Sequence, residues 1–140
     1  MPAPLRLFLP ILIVLELLYA SIPAIMIMNL DFLRTVIVQS KPTLSNKDIE
    51  FAVPIVGIFV AGIHTLFIGL TIWLSVMIRS RGKWARVGLT LVLLIATLGS
   101  FASWTAGPMF YGIIIVTNIV HVILVGLLWL PQSVRNFFSA

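Results

Sequence analysis

Four long apolar stretches constrain this chain more than any other feature: residues 6–29, 52–78, 86–106 and 109–130. A helix needs roughly 20 apolar residues to cross a bilayer, at about 1.5 Å of rise each. Each stretch meets that length, and the chain's few charges lie almost wholly between them. Only 9% of the residues are charged and 61% are hydrophobic, against about 25% charged in soluble domains. A single membrane domain over residues 1–140 is therefore expected, an all-α, antiparallel four-transmembrane-helix bundle.

The first stretch is read as a retained helix. Arg6 is followed by an apolar run well beyond the ~7–15 residues of a signal-peptide core, and Ala20-Ser21-Ile22 does not offer the small-residue cleavage pattern. Pro10 and Pro23 are predicted to kink it or mark short breaks. Residues 30–45 form the outer loop, whose half-apolar start (residues 30–38) either extends the helix or lies along the interface. Lys41-Pro42 ends any helix there, because proline pushes the preceding residue out of the α region. Ser45-Asn46-Lys47-Asp48 fits a capping box, which starts the second helix at about 46 and carries it to 78. A basic loop, 79–86, leads to the third helix. Ala106-Gly107-Pro108 is a tight turn into the fourth, which Pro131 ends.

Charge sets the orientation. With four crossings, Arg6, the loop cations Arg79, Arg81, Lys83 and Arg86, and the tail residue Arg135 share one side. The 30–50 segment has three cations (Arg34, Lys41, Lys47) and three acids (Asp31, Asp48, Glu50). Six cations against three is a positive-inside bias, which places both termini in the cytoplasm. Trp73, Trp84 and Trp129 fall toward that side, and Trp104, Phe110 and Tyr111 toward the other, as aromatic belts require. The net charge of +5 is thus a matter of topology and not of nucleic-acid binding. The four loop cations are expected to rest on anionic lipid headgroups, at about 1 kcal/mol each.

Against this apolar background, Glu16 stands alone near the middle of the first helix, where an unpaired carboxylate costs several kcal/mol. It needs a partner, a proton or a watery cavity. Counting from the helix ends puts His64, Asn118 and His121 at a similar depth, near the midplane of a ~30 Å core. Helical spacing gives each a polar or small-residue face. Glu16 shares one with Tyr19, Ala20 and Pro23, and His64 with Gly57, Ala61, Thr71 and Ser75. Asn118 lies three residues from His121, while the third helix offers Thr90, Thr97, Ser100 and Ser103. Turned to one axis, these faces form a midplane polar cluster of Glu16, His64, Asn118 and His121, in which Glu16 is expected to pair with an imidazole or an amide.

Three functional readings follow. In one, the cluster is a satisfied network that fixes helix register. In the second, Glu16 and a membrane histidine handle protons in a small transporter. In the third, His64 and His121 hold a haem, or a metal together with Glu16. Without cysteine, disulfides, iron–sulfur clusters and Cys-ligated zinc are excluded. No G-x-S-x-G, H-E-x-x-H or P-loop is present, so no catalytic residue, resident cofactor or metal is assigned and no enzyme is expected.

The run Arg81-Gly82-Lys83-Trp84-Ala85-Arg86-Val87, the ending 128–138 (LWLPQSVRNFF) and Leu44-Ser45…Asp48-Ile49-Glu50 resemble small four-helix integral membrane proteins of actinobacterial type. This resemblance covers the chain from about residue 44 onward. It implies architecture and a multi-pass plasma-membrane setting, and no activity. The function expected is that of an accessory or scaffolding subunit of a larger plasma-membrane complex. A respiratory oxidase supercomplex is favoured by analogy with the small cofactor-free helical subunits such complexes carry.

Overall fold

The computed structural model describes residues 2–139, and all their regular structure is helical. In chain order the helices are α1 (Ala3–Met28), α2 (Leu30–Ser40), α3 (Asn46–Arg79), α4 (Lys83–Ala102), α5 (Tyr111–Trp129) and α6 (Gln132–Ser139). Two short 3₁₀ turns, Ser103–Ala106 and Pro108–Phe110, link α4 to α5. Four segments are long and apolar enough to cross a membrane: Ala3–Met28, Asn46–Arg79, Lys83–Thr105 and Pro108–Trp129, with mean hydropathies of 2.3, 2.2, 1.9 and 2.3.

Buried positions in α1 are Leu5, Phe8, Leu12, Leu15 and Tyr19. Steps of three and four residues put them on one stripe. The stripe packs against Leu74 and Ile78 of α3, Ala85, Leu89 and Leu93 of α4, and Val120, Leu124 and Leu128 of α5. A second core cluster at the opposite end joins Met26 of α1, Leu33 and Ile37 of α2, Ile49 and Val53 of α3, and Phe110 and Ile114. Large apolar side chains are displayed outward, among them Phe51, Ile58, Leu98 and Val122, each at least 70% exposed. Water would not cover such a surface, whereas lipid or other apolar helices would.

Several boundaries differ from the sequence expectation. Neither Pro10 nor Pro23 breaks α1, which runs without interruption over 26 residues. A proline frees a carbonyl one turn back, and neighbouring helices and hydroxyls can re-satisfy it within a membrane. The 30–45 segment is mostly helix. At 34 residues, α3 is about 50 Å long and overshoots a ~30 Å core. The first turns of α3 hold Ile49 and Val53, against which α2 packs Leu33 and Ile37. An exposed Arg34–Glu50 ion pair at 2.7 Å adds little at such a surface. Ser45 caps α3, its Oγ accepting from the Asp48 N–H at 3.2 Å.

The α3–α4 connection is shorter than residues 79–86. Lys83 and Arg86 already belong to α4, and the chain reverses through Ser80, Arg81 and Gly82, with Arg81 left-handed at φ 60°. Residues 132–139 are not an open tail but the amphipathic helix α6, which buries Val134 and Phe138. These two join the same cluster as Leu5 and Phe8 of α1 and Ile78 of α3. The start of α1, the α3–α4 turn and α6 therefore share one end of the bundle, where Arg86 stacks on Trp129 at 3.7 Å and Arg81 lies over Phe137 at 4.9 Å.

Candidate functional site

The interior polar groups come from four helices, and most of them are spent on each other. On α5, His121 is almost fully buried, at 2% exposure. Its Nε2 lies 2.7 Å from the Tyr19 hydroxyl of α1, and its Nδ1 lies 2.8 Å from Thr97 Oγ1 of α4. Thr97 has one hydroxyl hydrogen and an acceptor 2.9 Å away in Leu93 O. Giving it to that carbonyl assigns the rest by elimination: Nδ1–H of His121 donates to Thr97, and Tyr19 O–H donates to Nε2. One directed chain, Tyr19 to His121 to Thr97 to Leu93 O, thus ties α1, α5 and α4 together. A parallel tie joins Asn118 to Ser100, with Nδ2 donating to Oγ at 2.9 Å.

Glu16 is not part of either tie. Its hydrogen-bond partner among the described residues is the Thr71 hydroxyl of α3, at 2.6 Å from Oε1, in place of the imidazole or amide expected from depth. Thr71 Oγ1 also lies 2.8 Å from Phe67 O and 3.0 Å from Ile68 O, so its one hydrogen faces three acceptors. The Thr71 hydroxyl donates to Glu16 Oε1, the shortest of the three contacts, and leans toward the two carbonyls of its own helix. Glu16 Oε2 is buried with no partner. Depth marks Glu16 as a group needing satisfaction, but depth along an axis does not say which neighbouring helix a side chain faces.

His64 takes a third course. Nδ1–H donates to Val60 O of its own helix at 2.8 Å, which leaves Nε2 as the ring's free acceptor. Its ring meets the Tyr19 ring edge-on, centroids 6.3 Å apart, and the His121 ring meets Tyr19 at 5.8 Å. The two histidines are therefore joined through Tyr19, a residue that sequence spacing placed beside Glu16 and gave no role of its own.

Beside this junction lies a cavity of about 360 Å³, bounded by α1, α3, α4 and the first half of α5. Its walls include His64, Tyr19 and Phe67 beside the histidine–tyrosine junction and Phe110 beside the α4–α5 turn. Its space comes from the second half of α4, where Ala96, Gly99, Ser100 and Ala102 line it, and from Ser103 just beyond. Small residues commonly let helices close up; here they leave room. One hydroxyl in the wall, Thr117 Oγ1, is buried without a partner. Thr117 was not among the residues singled out by sequence, although its position four residues before His121 puts it on the same face of α5.

A haem or metal fits these residues poorly. Both ring nitrogens of His121 are engaged, so ligation there would break the tie to Tyr19 or to Thr97. Among the described residues, no three His, Cys, Asp or Glu side chains gather as a metal-binding group. The basic residues divide likewise. Arg79, Arg81 and Lys83 are exposed at the turn, whereas Arg86 is drawn onto Trp129, with Nε and Nη2 buried and free of hydrogen bonds. Trp129 is itself held by donating from Nε1 to Thr90 Oγ1 at 2.9 Å.

Fold and site together define an all-helical bundle with four helices long and apolar enough to cross a membrane, hydrogen-bonded to one another through its interior. Compared with protein-family models, curated proteins and solved structures, the chain matches none.

Proposed function

We propose that this protein is an accessory or scaffolding subunit of a larger plasma-membrane complex, its four spans antiparallel and both termini cytoplasmic. One observation carries the proposal: the midplane hydrogen bonds begin and end inside the bundle. The Tyr19–His121–Thr97 chain terminates on Leu93 O, and Asn118 is taken up by Ser100. Groups spent in this way tie α1, α4 and α5 to one another and support a fixed helix register. The orientation is supported by the gathering of the start of α1, the α3–α4 turn and α6 at one end, which brings the basic segments together as the positive-inside pattern requires. Exposed Arg79, Arg81 and Lys83 at that end suit anionic headgroups. The resemblance to small four-helix proteins of actinobacterial type supports the plasma-membrane setting, and a respiratory oxidase supercomplex is the assembly we favour by analogy. The test is purification at native abundance in mild detergent. Stoichiometric co-migration with larger subunits is expected, and a homogeneous lone monomer contradicts the assignment.

A second reading, a small proton-coupled transporter, is favoured by one feature: the buried and unpartnered Glu16 Oε2, open to a proton or a coupling ion. Replacing Glu16 by Gln separates the two. Abolished proton-coupled flux with assembly intact supports transport, and unchanged flux or simple loss of stability supports the structural role.

A further inference from the structure

Every other threonine within a helix of this chain returns its hydroxyl to a backbone carbonyl three or four residues back: Thr35, Thr65, Thr71, Thr90, Thr97 and Thr105. Thr117 does not. It is only 4% exposed, its hydroxyl has no partner, and it lines the cavity. A hydroxyl left bare in an apolar setting costs about 1–3 kcal/mol, so an occupant able to hydrogen-bond there would be favoured. His64 also lines the cavity, and with Nδ1–H given to Val60 O its Nε2 is the ring's remaining acceptor.

The remaining wall describes the occupant. Among the described residues no charged side chain lines the cavity, and Tyr19, Phe59, Phe67 and Phe110 supply aromatic rings. Its volume of about 360 Å³ falls at the lower end of small-molecule sites, roughly 300–1,000 Å³. Phe59 and Ile63 of α3, and Gly99 and Ala102 of α4, line the cavity while also being exposed on the outer surface of the bundle. The opening thus lies sideways, between α3 and α4, toward lipid. Where the two helices join, Gly88 leaves so little room that an added Cβ would approach the Leu74 side chain at 3.2 Å, whereas one at Gly99 would meet nothing within 4 Å.

We infer that the cavity is a binding site for a neutral, ring-bearing lipophile that enters from the bilayer and offers a hydroxyl or carbonyl to Thr117 and His64. Its aromatic body lies among the phenyl rings, and its polar group satisfies the Thr117 hydroxyl and the His64 acceptor. This inference is independent of the accessory-subunit assignment, since the first is read from ligand binding and the second from co-purification.

1-Naphthol and naphthalene are suitable probes, because they share a bicyclic body and differ by one hydroxyl. Binding to the detergent-solubilised full chain is measured by equilibrium dialysis, with empty micelles as the blank. Saturable binding of one 1-naphthol per chain is expected, roughly three- to tenfold tighter than naphthalene, as one net hydrogen bond implies. Thr117→Val, nearly isosteric, should remove most of that discrimination and leave naphthalene unchanged. Gly99→Phe, which fills open space, should abolish binding of both while the helical circular dichroism is retained. Equal affinity for the two probes would reveal a merely apolar void that any acyl chain could fill, and would overturn the inference. Discrimination that survives Thr117→Val, or binding that survives Gly99→Phe, would overturn it equally.

Discussion

Tyr19→Phe is the sharpest probe of the interhelical tie. The substitution keeps the ring and its packing and removes a hydroxyl that sits 2.7 Å from His121 Nε2. Tyr19 and His121 are 5% and 2% exposed, so Nε2 is left as a buried acceptor with nothing offered in return. A neutral hydrogen bond contributes about 0.5–1.5 kcal/mol net, and a bare buried polar group costs about 1–3 kcal/mol. Between membrane helices, measured couplings average only about 0.6 kcal/mol and reach about 1.7 kcal/mol. The expected loss for Tyr19→Phe is therefore about 1–2 kcal/mol. His121→Leu removes the imidazole from both bonds, and the double variant no longer strands an acceptor beside a ring that has lost its hydroxyl. The two losses should then sum to more than the double variant's loss by about 1 kcal/mol. Reversible unfolding in mixed micelles of increasing SDS fraction, followed by far-UV circular dichroism, gives all corners of the cycle. Additivity within about 0.3 kcal/mol, the behaviour of independent sites, would refute the tie.

The remaining expectations concern the turns, the cap and the orientation. Gly107 sits at φ 120° and ψ 167°, with the Phe32 ring 3.8 Å from where a Cβ would stand. Gly107→Ala should cost about 1–3 kcal/mol in the same SDS titration, and an unchanged midpoint would contradict the strain. Ser45→Ala removes the cap on the Asp48 N–H and should cost about 1 kcal/mol, fraying the start of α3 as measured by amide hydrogen exchange at residues 46–49. Because the chain has no cysteine, single cysteines report orientation directly. Thr43→Cys should react with a membrane-impermeant maleimide on intact cells, and Ser133→Cys only after permeabilisation; the reverse pattern would invert the topology.

The spans were legible because hydropathy is a one-dimensional property that a bilayer enforces directly. The start of α3 was equally legible, since the Ser45 cap acts on a residue only three positions away. What escaped was whatever depends on packing between helices. Residues 30–40 and 132–139 fold as α2 and α6 because each has an apolar pair at helical spacing, Leu33 with Ile37 and Val134 with Phe138, that finds a core cluster to enter. The polar residues show the same division. Their depth could be counted from helix ends, but their partners depend on helix rotation. His64, Asn118, His121 and Glu16 accordingly sort onto Val60, Ser100, Tyr19 with Thr97, and Thr71. Thr117 was illegible for a related reason: a threonine in a membrane helix ordinarily bonds to its own backbone, and only the cavity opposite it makes the missing bond meaningful.

The most direct test of the central claim is the mass of the native particle. The full chain, tagged at its genomic level of expression and extracted in mild detergent, should appear by native mass spectrometry as one copy within a stoichiometric assembly of larger membrane subunits. Tyr19→Phe should weaken that assembly in step with its loss of stability. A monodisperse particle containing this chain alone, stable and with proton-coupled flux that depends on Glu16, would contradict the account.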